Sequence, residues 1–172
     1  MIYSIIFLGM AGVGKSSIGK SVANELALNF IDTDKVISDH YRQPLQRIIS
    51  EKGDQEFNRI ESTFVLKFTD DLNIISPGGS FIYATDVIKK IRDQALLLYL
   101  YDEPKNIKKR ISNLNTRGIV GLEKKSFEQL CFERHELYQA AAHIQFNLNL
   151  FSFDEITRQI IEYLKLALKD RL

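Results

Sequence analysis

Eight residues near the start of the chain, Gly9-Met10-Ala11-Gly12-Val13-Gly14-Lys15-Ser16, have the types and the spacing to hold a row of phosphates. They fit G-x-x-x-x-G-K-[ST], the P-loop pattern. Its glycines let the backbone fold round an anion and turn successive N–H groups inward. Lys15 can reach the β and γ phosphates, and the Ser16 hydroxyl can ligate Mg²⁺. The pattern carries this meaning only between a strand and a helix, and both are indicated. Residues 3–8 form a short apolar, β-branched and aromatic run that reads as a buried strand. Residues 16–28 place Ile18, Val22, Ala23 and Leu26 at helical spacing. The helix start adds orphan N–H groups and the positive end of its dipole. The candidate phosphate cradle is therefore Gly9, Ala11, Gly12, Val13, Gly14, Lys15, Ser16 and Ser17.

A second group of candidates follows at Asp32-Thr33-Asp34, after the short apolar pair Phe30-Ile31. Two carboxylates at the carboxyl end of a strand lie where ligands gather in an open parallel sheet. One suits Mg²⁺, directly or through water; the other can take a proton from an attacking hydroxyl. The alternative is that Asp32 or Thr33 merely caps the next helix. Ser76-Pro77-Gly78-Gly79-Ser80 ends a further apolar run, 72–75. Paired glycines there let a ligand approach the backbone, although an ordinary tight turn has the same composition.

The intervening elements must position these groups. Helices are expected over 34–40, over 44–50 with Pro44 at its start, over 54–68, and from Thr85 or Asp86 to about 93. On the 54–68 helix Asn58 and Glu61 are three apart and share a face. Residues 95–100 are the clearest strand, ending in Asp102-Glu103. That acidic pair imitates a metal-binding strand end, but Pro104 follows at once, and Asp–x–Pro, with Asp102 as its acidic residue, is an expected helix opening. Residues 104–111 form a basic helix carrying Arg110. Residues 112–126 have no periodicity and two glycines, as an active-site lid would. Arg117 within it is either a clamp on a transferring phosphoryl group or a solvated surface arginine. A helix over 126–140 sets Arg134 and Tyr138 on one face. Residues 143–148 alternate as an edge or fifth strand does, and 154–168 close the chain with a helix. The repeated strand–helix order argues for an α/β fold with a parallel sheet covered on both faces.

Composition excludes several other classes. Net charge is +1 with both signs interspersed, and 45% of residues are apolar, so no basic footprint for nucleic acid or an anionic membrane is present. Cys131 is the one cysteine, which excludes a disulfide framework. His40, His135 and His143 lack metal spacing and take no role. No apolar run reaches the ~20 residues that span a bilayer, and the apolar start lacks the basic flank of a signal peptide. A single domain over 1–172, cytosolic and monomeric, with a small-molecule substrate and neither nucleic-acid nor membrane partners, is the expectation.

With these pieces placed, the chain resembles the shikimate kinases, within the nucleoside-monophosphate-kinase-like P-loop fold. The resemblance covers nearly all of it. It implies a three-layer P-loop kinase fold with a five-stranded parallel sheet and a mobile lid loop at about 112–126. It also implies a substrate-binding helical segment at about 33–62. The cofactors implied are ATP and Mg²⁺, with Ser16 and, through water, Asp32 on the metal. Lys15, Asp34 and Arg117 are the implied catalytic residues. Arg110 matches the adenine-stacking arginine, seven residues before the lid arginine Arg117. Phe57 and Glu61 match the ends of F-R-x-x-E, Pro77-Gly78-Gly79 falls on Gly-Gly-Gly, and Arg134 with Tyr138 matches R-x-x-x-Y. Acceptor binding is thereby implied for Asp34, Asn58, Glu61, Gly78, Gly79, Arg134 and Tyr138.

Two positions depart from the pattern. Asn58 stands where the family has an arginine for the acceptor's carboxylate, and Pro77 removes a backbone N–H. ATP-dependent phosphorylation of shikimate is the leading reading. A kinase of another small hydroxylated acceptor, favoured by Asn58, and a nucleotide-binding regulator with little transfer activity are the alternatives. If Arg117 acts on the transition state, Arg117→Ala lowers kcat and kcat/KM together, by about a hundredfold. ATP affinity, measured by equilibrium titration, stays near that of the wild type.

Overall fold

A computed structural model describes residues 4–111 and 118–169. Arg117 and the first part of the expected lid, 112–117, lie outside the described residues, as does Tyr3. The apolar runs form five strands: β1 (Ser4–Leu8), β2 (Asn29–Asp32), β3 (Asn73–Ser76), β4 (Ala95–Tyr101) and β5 (Ile144–Asn147). Their order is β2-β3-β1-β4-β5 and every pairing is parallel. β1 and β3 are buried at every residue and β4 at all but Tyr101. Successive strand side chains point to opposite faces, so unbroken burial means that helices cover both sides of the sheet. β1 lies at the centre. The chain runs to one side of it for β2 and β3 and to the other for β4 and β5, so the loop after β1 opens at a switch point.

The helices are α1 (Lys15–Glu25), α2 (Thr33–Tyr41), α3 (Leu45–Lys52), α4 (Asp54–Leu66), α5 (Thr85–Ile91), α6 (Pro104–Arg110), α7 (Phe127–Ala141) and α8 (Phe153–Ala167). Local chemistry sets several of their starts. Ser126 and Ser152 form reciprocal capping boxes with Gln129 and Glu155. Pro44 sits one residue outside α3, at its N-cap, rather than inside its first turn. Glu103, not Asp102, is the N-cap of α6. Asp102 instead turns inward, where it is 2% exposed. A 3₁₀ turn over Gly79–Tyr83 follows β3, where the sequence suggested only a glycine turn.

Apolar packing divides into two clusters. The larger joins the sheet to α1, α5, α6, α7 and α8. The smaller holds α2, α3 and α4 together through Ile37, Ile48, Ile49, Phe57, Ile60 and Phe64. Val120, from the described part of the 112–126 stretch, is buried in this second cluster, so the stretch is anchored there by a core side chain. Among the described residues no helix is long and apolar enough to cross a membrane. Leu97 is fully buried in β4. Leu97→Ala is expected to cost about 2–5 kcal/mol, read as a lower urea midpoint at unchanged slope.

Candidate active site

The P-loop joins the carboxyl end of β1 to α1. Gly14 is the N-cap of α1 at φ 116°, and a Cβ there would meet the Phe153 ring at 2.8 Å. Both the left-handed backbone and the close approach require glycine. Lys15 is 7% exposed. Its Nζ donates to the carbonyls of Gly9 (2.7 Å) and Met10 (3.0 Å), which ties the end of the loop to its beginning. The Val13 side chain is core, while its carbonyl accepts from Arg110 Nη1 at 3.4 Å. The Arg110 guanidinium is in turn paired with the buried Asp102 carboxylate, which also accepts from the Glu103 amide and from Asn106. Asp102, at the end of β4, thus steadies an arginine at the cleft.

Across the loop, Ser16 Oγ donates to Asp32 Oδ2 at 2.8 Å, while Asp32 Oδ1 accepts from the Lys35 amide at 3.3 Å. The two readings of Asp32, cap and ligand, are therefore compatible: one oxygen caps α2 and the other faces Ser16. A cleft of about 270 Å³ opens here. Ala11, Gly12, Gly14, Lys15, Ser16 and Ser17 line it from the loop, Asp32 and Asp34 from the start of α2, and Gly79 and Arg110 from farther along the chain. Ser76, Pro77 and Phe153 line it as well. Phe153 carried no sequence signal, because only the docking of α8 beside the P-loop brings it there.

Gly78 and Gly79 form the cleft's other wall. A Cβ on Gly78 would lie 2.5 Å from Glu61 Oε1 and 2.7 Å from Asp34 Oδ1. A Cβ on Gly79 would lie 3.1 Å from Arg134 Nη1, 3.2 Å from the Ala11 amide and 3.3 Å from Tyr138 Oη. Tyr138 Oη donates to the Gly79 carbonyl at 2.7 Å. Residues from α2, α4, α7 and the P-loop thus converge on two positions without side chains. Asn58 does not join them. It lines a separate groove with Arg59, Ser62 and Tyr83 between α4 and the start of α5, and its Oδ1 is buried without a hydrogen bond among the described residues.

A shikimate kinase family model matches residues 11–165. The chain belongs to the shikimate kinase family. A shikimate kinase from Staphylococcus aureus strain MRSA252 is 31% identical over 94% of this chain and 93% of its own length. One from Bacillus cereus is 29% identical over 92% and 96%. The structure of the Acinetobacter baumannii shikimate kinase in complex with shikimate shares the fold at a TM-score of 0.80 and 22% identity, covering 100% of this chain and 96% of that one. The Aquifex aeolicus shikimate kinase shares it at a TM-score of 0.78 and 18% identity, covering 98% of each.

In this member of a family of ATP-using kinases, a buried arginine and a buried glutamate lie beside Gly78 and Gly79. Arg134 is 1% exposed. Its Nη2 donates to the Val120 carbonyl (2.6 Å), its Nε donates to Tyr83 Oη (3.2 Å), and its Nη1 lies 4.0 Å from Met10 Sδ. Among the described residues, then, a buried guanidinium has neutral hydrogen-bond partners. Glu61 is fully buried and accepts from Ser80 Oγ at 2.8 Å. Its Oε1 has no hydrogen bond of normal geometry among the described residues, although the Gly78 amide is near enough to favour the charged form. Burial, and then the Asp34 carboxylate, push the Glu61 carboxyl up to about 8, against the opposing pull of Ser80, Gly78 and Arg134.

Outside the cleft, the histidines and the cysteine have structural surroundings. His143 Nδ1 accepts from the Leu97 amide at 3.0 Å, and His135 Nδ1 bonds Tyr99 Oη at 2.9 Å. Cys131 is buried, and that burial raises its thiol above the ordinary range.

Among the described residues no group of three or more His, Cys, Asp or Glu could hold a metal. The hydroxyl–carboxylate pair of Ser16 and Asp32 nevertheless fits Mg²⁺. That ion takes oxygen ligands and is commonly held by one or two protein groups together with substrate phosphates.

The raised Glu61 group makes stability depend on pH. The folded state binds this proton more tightly than the unfolded chain, whose value is near 4.5. The contribution is fully present below that value and is lost as pH rises through about 8. Glu61→Gln removes the dependence. Urea unfolding at about pH 5 and about pH 8 is therefore expected to show the variant gaining on the wild type at the higher pH.

Proposed function

We propose that the chain transfers the γ-phosphoryl group of ATP to a hydroxyl of shikimate. Asp34 lies between the phosphate loop and, beyond Gly78 and Gly79, the buried Arg134, whose described hydrogen-bond partners are neutral. That single arrangement carries the reading. A hydroxylated carboxylic acid laid across the two glycines meets a cation at its carboxylate and a base at its hydroxyl.

The roles follow from position. The N–H groups of the loop and of the α1 N-terminus bind the phosphates. Lys15 neutralises charge on the group in transit, as Arg117 does in this reading. Ser16 and Asp32 would hold Mg²⁺, whose positive charge would offset that of the phosphate oxygens. Asp34 accepts the proton of the acceptor hydroxyl as its oxygen bonds to phosphorus and the bond to the ADP oxygen breaks. Arg110 and Phe153, both at the cleft, are placed to take the base of the nucleotide between a guanidinium and a ring. Arg134, with Gly78, Gly79, Glu61 and Tyr138 around it, holds the acceptor.

One observation favours a second reading, a different hydroxylated acid as acceptor. Asn58 is neutral and lies in the neighbouring groove, so Arg134 lacks an arginine beside it at that position. A charge-assisted hydrogen bond contributes about 1.5–3 kcal/mol, enough to alter the acceptor preference.

A coupled assay of ADP release, with and without shikimate, decides between the readings. ADP release strictly dependent on shikimate is the expected result. Release with another hydroxy acid and none with shikimate would replace the acceptor, and no release with any acceptor would leave a nucleotide-binding protein. Lys15→Ala should reduce transfer by at least about a hundredfold while far-UV circular dichroism stays that of the wild type. Wild-type turnover in this variant would remove the P-loop from the mechanism.

A further inference from the structure

The guanidinium of Arg134 is held by a closed circuit of polar contacts that includes a residue with no role so far. Tyr83 stands at the end of the 3₁₀ turn that begins at Gly79. Its hydroxyl accepts from Arg134 Nε at 3.2 Å and donates to Glu133 Oε1 at 2.8 Å. The guanidinium carbon lies 5.1 Å from the centre of the Tyr83 ring, so ring and hydroxyl act on the same cation. The other oxygen of Glu133 is paired with Lys125. Lys125 and Val120 both belong to the stretch before α7, and the Val120 carbonyl accepts from Arg134 Nη2 at 2.6 Å. The circuit therefore leaves the arginine at two edges and returns to the same stretch of chain at two points. The Lys125 and Tyr83 bonds also hold the Glu133 carboxyl below the usual carboxylate range. It stays ionised and keeps drawing the Tyr83 proton toward itself, which leaves the hydroxyl oxygen the better acceptor for Arg134.

We propose that Tyr83 is the positioning residue for Arg134. By linking it to Glu133 and Lys125, it aims the guanidinium at the acceptor and couples that grip to residues 118–126. The inference rests on the functional reading above, in which Arg134 takes the acceptor's carboxylate. A guanidinium has a fixed plane and a fixed fork of donors, and it binds a carboxylate well only when that plane is set. Of its described hydrogen-bond partners, Tyr83 and the Val120 carbonyl set it, and only Tyr83 is a side chain that can be altered without moving the backbone. The neutral Asn58 lines the groove from which Tyr83 reaches in.

Tyr83→Phe keeps the ring over the cation and removes only the hydroxyl. It is expected to raise KM for shikimate about tenfold, with kcat and KM for ATP within about twofold of the wild type. Glu133→Gln should shift KM for shikimate in the same direction by less. The double variant Tyr83→Phe/Glu133→Gln should be no worse than Tyr83→Phe alone, because both changes act through one contact. A merely structural role would lower the melting temperature and leave this split between substrates absent. An unchanged KM for shikimate in Tyr83→Phe, an equal rise in KM for ATP, or additive effects in the double variant would overturn the inference. Wild-type turnover of shikimate is measured first. Its absence would overturn the functional reading and this inference with it, whereas normal wild-type turnover with an unaffected Tyr83→Phe overturns the inference alone.

Discussion

The candidate site depends on the absence of side chains at Gly78 and Gly79. Two carboxylates approach Gly78 more closely than a Cβ would allow, and two side chains and one backbone amide come within 3.1–3.3 Å of a Cβ at Gly79. A methyl group at Gly78 would be driven into two carboxylates, and one at Gly79 would press tightly against a guanidinium, an amide and a phenol. The strand before them is buried at every residue and paired on both sides, so the backbone has no room to withdraw. The polar groups keep these close positions because the two residues present bare backbone to them.

That convergence has an electrostatic cost. Removing a charge from water costs several kcal/mol unless a partner replaces the solvent. Glu61 meets the cost by favouring its neutral form. Arg134 keeps its charge and disperses it over a carbonyl, a phenol and a thioether. A buried cation beside a carboxyl that prefers its proton leaves the wall with an unspent attraction for an anion. The apolar clusters that fix α2, α4 and α7 around the glycines hold this arrangement in place.

The P-loop side of the cleft is built differently. Its side chains are held in place by loop carbonyls and by carboxylates. Lys15 is tied to loop carbonyls, Ser16 to Asp32, and Arg110 to Asp102. The parallel sheet places these groups together because the chain reverses direction across β1, which sets the carboxyl ends of β1, β2, β3 and β4 round one opening.

Much of this was legible in the residues alone. The P-loop declares itself because its function lies in backbone conformation, and glycine, lysine and serine at fixed spacing are the local means of obtaining it. β1, β3 and β4 were legible because burial on both faces needs unbroken apolar runs. Helix starts at Ser126 and Ser152 were close to their expected places because a cap is a contact between residues three apart. Other features depended on contacts between residues far apart in the chain. Asp102 could have been a metal ligand or a cap; it became the partner of Arg110 because α6 folds back over the end of β4. Asn58 and Glu61 stand three apart on α4, yet the packing round that helix puts Asn58 in another groove and Glu61 at the glycines. Phe153 and Tyr83 had no motif to mark them, since each acts on a group more than fifty residues away that only the tertiary structure delivers. Sequence determines the local chemistry, because that is encoded within a few residues. Tertiary structure decides which charges face each other, because burial and distance are properties of the packed chain.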